Sequence, residues 1–138
     1  MTFITVVIAI TAVLFSWFMQ NVLHEASHLL VAIAKGYVPL EFRPYPVFRH
    51  GRWFFAYCRY DAKGKTPPRI IHIAPFIGGM IHFLIAGSMA VIFYMIHIPY
   101  WWILTIPATC ALIDALFFWY GYFFGSAMSD GKRFRTYK

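Results

Sequence analysis

Between Thr2 and Ala34 a single residue, Glu25, carries a formal charge; between Ile70 and Ile96 none does, and between Tyr100 and Phe124 only Asp114 does. Apolar runs of this kind exceed the roughly 20 residues that cross a bilayer, and in hydrocarbon a chain must satisfy its own backbone hydrogen bonds, so each run is committed to helix. The sequence therefore predicts an all-α integral membrane protein with three transmembrane helices, over about 2–34, 70–96 and 100–124. Composition agrees, since a chain that is 61% hydrophobic and 12% charged is far more apolar than a soluble domain. One membrane-embedded domain over 1–138 is expected, with no room for a separate soluble unit. The first run would extend roughly 50 Å as a helix against a hydrocarbon core of about 30 Å, so it must tilt, kink or project. No basic residue precedes it, which argues against a cleavable signal peptide.

All 12 basic residues fall in two places. Lys35, Arg43, Arg49, Arg52, Arg59, Lys63, Lys65 and Arg69 lie between the first two runs, and Lys132, Arg133, Arg135 and Lys138 follow the third. The positive-inside rule then puts the N-terminus outside and both basic segments in the cytoplasm. The net charge of +7 is read as a topology signal and a contact for anionic lipid, so the bilayer is an expected partner and nucleic acid is not. Over about 38–60 the pattern changes. Val38, Leu40 and Phe42 alternate with Pro39, Glu41 and Arg43, and beyond the turn-prone His50-Gly51 pair Trp53, Phe55 and Tyr57 alternate with Phe54, Ala56 and Cys58. This predicts a cytoplasmic or interfacial β-hairpin between the first and second helices. Pro44 and Pro46 have no N–H to donate, so the strand before the turn belongs at an edge.

Within the first run the polar residues form a stripe: Ser16, Gln20, His24 and His28 recur at spacing four, flanked by Asn21, Glu25 and Ser27. His24-Glu25-Ala26-Ser27-His28 places two imidazoles on one helix face, able to grip one metal ion, with Glu25 beside them to take a proton from water. Helix-to-helix hydrogen bonding is the bland alternative, and the glutamate between the two histidines weighs against it. A catalytic zinc site needs a third protein ligand. Asp130 is expected to supply it, because the Gly125-Ser126 pair lets the chain leave the third helix and fold back; Asp114 is the rival, but counted along its helix it lies level with Ser16 and Gln20. Cys58 and Cys110 read as apolar fillers. His72 and His82 are read first as polar packing, with an oxyanion contact or an extra ligand as the alternative, and His50 and His97 fall in turns.

Four segments together resemble the site-2 protease class of intramembrane zinc metalloproteases: His24-Glu25-Ala26-Ser27-His28, Lys35-Gly36-Tyr37 before a strand, Ala74-Pro75-Phe76 opening the second span, and Ser129-Asp130-Gly131 after the third. The resemblance implies a minimal three-helix core, Zn2+ held by His24, His28 and Asp130, and Glu25 as the general base in hydrolysis of a transmembrane or membrane-adjacent peptide substrate. Such a substrate must be unwound, and an edge strand carrying Leu40 and Phe42 is expected to hold it by β-addition. The family's Asn-x-x-Pro run is replaced here by Tyr122-Phe123-Phe124-Gly125, and Ser129 stands where the family has Leu. The alternative expectation is a catalytically inactive protease-like membrane protein that binds metal or transmembrane partners.

Overall fold

Thr2 caps the first helix by accepting a hydrogen bond from the Thr5 amide at 3.4 Å, and α1 then runs unbroken over Phe3–Ala34. Gly36, at φ +77°, turns the chain out of it. The computed structural model describes residues 2–49, 51–125 and 129–136. After α1 come four short strands, β1 (Val38–Arg43), β2 (Val47–Arg49), β3 (Arg52–Phe54) and β4 (Tyr57–Asp61). Then follow α2 (Arg69–Met95), a 3-10 turn at Trp101–Leu104, α3 (Thr105–Phe124) and α4 (Asp130–Thr136). Among the described residues, three helices are long and apolar enough to cross a membrane, in the order and nearly the bounds expected.

Burial on α1 is inverted relative to a water-soluble bundle. Ser16, Gln20, Glu25, His28 and Ala32 are buried, while Ile10, Leu14, Phe15 and Leu30 lie outside. Hydrocarbon imposes this arrangement, because apolar side chains lose nothing by facing it and polar ones must find partners inside. Small residues bring the helices together: Ala86 and Ala90 of α2 and Ala108, Ala111 and Ala115 of α3 are buried. A Cβ on Gly78 would stand 2.8 Å from the Ser27 hydroxyl, so α1 and α2 approach closely there and a larger residue would require that hydroxyl to turn away.

The segment between α1 and α2 is a hairpin in two parts. β1 pairs antiparallel with β4, Val38 opposite Asp61 and Arg43 opposite Tyr57, and β2 pairs with β3, Val47 opposite Phe54. The continuous ladder expected over 38–60 is thus interrupted between Arg43 and Val47 on one side and at Phe55 and Ala56 on the other. The cause is the absence of an N–H at Pro44 and Pro46, which also bends the partner strand and ends the alternation expected through Cys58. His50 of the expected turn lies outside the described residues. Val38, Leu40 and Phe42 are exposed, whereas Glu41 and Arg43 are half-buried and paired at 2.7 Å. Phe55 meets Trp17 of α1 edge-on, ring centres 6.2 Å apart. Trp17 is about 25 Å along the helix axis from Ala34, so the hairpin lies back along α1 instead of standing off its end. A cluster of Ala32, Tyr37 and Ile71, with Tyr37 stacked on Tyr60, ties the hairpin base to α1 and α2.

At the other end of the chain α3 stops at Phe124, and Gly125 is extended. Ser126, the second half of the expected breaking pair, lies outside the described residues. The chain returns as α4, packed so closely on α3 that a Cβ on Gly131 would run into the Phe118 carbonyl and the Tyr122 amide. This return is what carries Asp130 toward the first helix.

Candidate metal centre

The helical repeat of α1 places Gln20, His24 and His28 in one file, and α4 delivers Asp130 against it. His24 Nε2 lies 3.2 Å and His28 Nε2 3.1 Å from one and the same oxygen, Asp130 Oδ2. Together the three side chains form a group able to hold a metal ion, their ligand atoms all within 4.8 Å of one another. A tetrahedral ion with bonds of about 2.0–2.1 Å separates its ligand atoms by about 3.3 Å, which the two imidazole-to-carboxylate spacings match.

Hydrogen-bond chemistry on the far side of each ligand supports the same conclusion. His28 Nδ1 is 2.7 Å from the Ile71 carbonyl, which can only accept, so Nδ1 carries the proton. His24 Nδ1 is 3.0 Å from both carboxylate oxygens of Asp114, and Nδ1 is again the donor. Each neutral ring then turns a bare Nε2 lone pair toward a carboxylate oxygen. That arrangement is repulsive unless a proton or a metal cation lies between the rings and the carboxylate, which is the condition a group able to hold a metal ion presents. Asp130 is braced as well, with His72 Nδ1 3.4 Å from Asp130 Oδ1.

Glu25 is buried and lines a cavity of about 220 Å3 together with His28, Tyr57, Cys58, Tyr60, His72, Asp130 and Arg133. It is not part of the three-ligand group. Burial, and then the adjacent Glu25 carboxylate, push the Cys58 thiol far above its ordinary range. Burial likewise pushes the Tyr60 phenol up to about 12, so both walls of the cavity stay protonated at neutral pH. A second cavity of about 190 Å3 lies on the other side of the group, lined by His24, Phe76, Asp114, Phe117, Phe118, Ser129 and Asp130.

Asp114, the rival ligand in the sequence, lies behind His24. Its Oδ2 accepts from Gln20 Nε2 at 2.9 Å, and Gln20 Oε1 accepts in turn from His82 Nδ1 at 2.8 Å. The direction of every bond in this wire is forced, since the amide oxygen and the carboxylate can only accept. His82 on α2 orients Gln20, Gln20 orients Asp114, and Asp114 fixes the ring of His24. The polar-packing reading of His82 holds, whereas His72 joins the centre as a brace for Asp130.

Leu40 and Phe42 are not brought to the centre. Both are exposed on β1, and the hairpin's contribution to the cavity comes from Phe54, Ala56, Tyr57, Cys58 and Tyr60. Cys58, read from sequence as a filler, stands beside Glu25 because β4 passes that turn of α1. No residue-type pattern points to the Ile71 carbonyl, because it is backbone. Tyr122 lines neither cavity; its ring lies under the Arg135 guanidinium at 5.8 Å. No family model, curated protein or solved structure matches the chain.

Proposed function

We propose that this protein is an intramembrane zinc metalloprotease of the site-2 protease kind, hydrolysing peptide bonds of transmembrane or membrane-adjacent substrates. The observation that carries the reading is the convergence of His24 Nε2 and His28 Nε2 on Asp130 Oδ2, with Glu25 lining the adjoining cavity. Two imidazoles and one carboxylate, leaving a position open, are the donor set of a catalytic zinc. Bound there, zinc supplies a Lewis acid that acidifies water and polarises a carbonyl. Glu25 takes a proton from the attacking water as its oxygen bonds to the carbonyl carbon, and returns that proton to the amine nitrogen as the C–N bond breaks. The cavity between Glu25 and the hairpin receives the extended segment of substrate. His24, His28 and Asp130 hold the metal; Glu25 does not.

The orientation that goes with this function has the N-terminus outside and the hairpin and α4 on the cytoplasmic side, supported by the two basic segments. Tyr122 favours a second reading, a metal-binding relative without proteolytic activity, because it replaces the family's Asn and lines neither cavity. Cleavage of a fluorogenic transmembrane peptide by the purified chain decides between them. The expected result is zinc-dependent cleavage that falls by 10²- to 10⁴-fold in Glu25→Gln with zinc retained. Full zinc occupancy without cleavage of any membrane substrate would favour the second reading.

A further inference from the structure

A helical carbonyl at position i ordinarily accepts from the N–H of residue i+4, and for Ile71 that residue is Pro75, which has no N–H. Proline is strongly disfavoured inside a helix, and a carbonyl stranded in an apolar bundle must find another donor. The Ile71 carbonyl finds one on a different helix: His28 Nδ1–H, at 2.7 Å. Ile71 and Pro75 are both fully buried, and His28 is 7% exposed, so water does not compete for this bond.

We propose that Pro75 is a positioning residue of the metal centre, acting through the Ile71 carbonyl that it leaves open to His28. The inference rests on the reading of His24, His28 and Asp130 as a zinc site. With the ring held at Nδ1, the tautomer is fixed and Nε2 faces the metal position. The same turn of α2 braces a second ligand, since His72, the residue after Ile71, sets its Nδ1 3.4 Å from Asp130 Oδ1. One turn of α2 thus supports ligands from both α1 and α4, and its geometry depends on the missing N–H. An ordinary residue at position 75 would supply that N–H, draw the Ile71 carbonyl back into line with the helix axis and withdraw it from the ring.

The test uses the full chain in detergent with Pro75→Ala and Pro75→Val. Both restore the N–H, and valine is closer to proline in volume should alanine leave a damaging cavity. Zinc affinity is measured by competition with a chelator, and thermal unfolding is followed on the metal-free protein. The expected result is a loss of about tenfold or more in zinc affinity, with metal-free unfolding at an equal or higher temperature because a helix breaker has been removed. A purely structural proline gives the opposite pair, a lower unfolding temperature with affinity unchanged. Either folded variant binding zinc within twofold of the parent would overturn the proposal. Should neither variant fold, nitrogen NMR of the zinc-loaded parent, labelled at histidine, decides it: His28 must keep its proton at Nδ1 and ligate through Nε2, and ligation through Nδ1 overturns the proposal. A parent chain that binds no zinc refutes the protease reading itself, a result separate from equal affinities in parent and variants.

Discussion

Asp114 and Asp130 address the two nitrogens of one imidazole, and that difference separates their roles. Asp130 shares the Nε2 side of His24 with His28, whereas Asp114 accepts from the opposite ring nitrogen. Asp130→Ala should therefore abolish tight zinc binding, while Asp114→Ala should weaken it by about 10- to 100-fold; chelator competition on both variants checks this, and the reverse order would make Asp114 the ligand. Cys58 gives an independent check of the cavity, because a thiol whose pKa is raised by burial and by Glu25 holds little thiolate. Its alkylation by iodoacetamide at pH 8 should be slower than that of Cys58 in denatured protein, and a rate equal to the denatured one would mean that the cavity is open to water. The two histidines and Glu25 were legible because their spacing in one helix fixes their relation, and Asp130 because a breaking glycine precedes it. Depth counted along straight helices placed Asp114 level with Gln20, which it does bond; its second bond, to His24, was not legible, because a carboxylate between two residues one turn apart reaches both and a depth count assigns it to one.

At the scale of elements, the return of α4 positions Asp130 and the path of the hairpin shapes the cavity. Gly131→Ala adds a Cβ where the Phe118 carbonyl already lies, so α4 must lift from α3 and carry Asp130 with it. Zinc affinity should fall by at least tenfold although no ligand is altered, and unchanged affinity in the purified variant would show that α4 does not position Asp130. The hairpin has a similar test. Its register with β4 shifts between Pro39 and Glu41 and skips Leu40, while Phe42 lies opposite Cys58. Leu40→Pro accordingly spares the β1–β4 ladder and removes only a backbone donor. If an unwound substrate adds to this edge, cleavage should drop several-fold with zinc binding intact; cleavage at the parental rate would leave β1 as a wall that touches no substrate. That a hairpin joins the first two helices was readable from the alternation about His50-Gly51. Its division into two ladders follows from Pro44 and Pro46, whose missing N–H groups imply an edge in the sequence and here also make a break. Its course along α1 depends on the contact of Phe55 with Trp17, residues far apart in the chain, and long-range contacts leave no local signal.

For the whole molecule the governing asymmetry is charge against depth. His24 and Glu25 lie about 15 Å from the Ala34 end of α1, and that end adjoins the segment holding eight of the 12 basic residues. The remaining four follow α3, and three spans put that terminus on the same side as the hairpin. Water entering a site of this depth has the shorter path from the basic side, and in the proposed orientation a basic rim there would meet the anionic leaflet. The orientation proposed is therefore N-terminus outside, with hairpin and α4 cytoplasmic. In a chain carrying Cys58→Ser and Cys110→Ala, a single cysteine introduced at Thr2 should react with a membrane-impermeant maleimide on intact cells, and one at Lys63 should react only after permeabilisation. The opposite pattern would invert the protein, place its basic segments against the positive-inside rule and move the route for water to the outer face. Labelling of both positions in intact cells would instead require an even number of crossings between them, and α1 would then have to lie along the surface. Its buried file of Ser16, Gln20, Glu25 and His28 argues against that, because a surface helix turns its polar residues to water and its apolar ones inward.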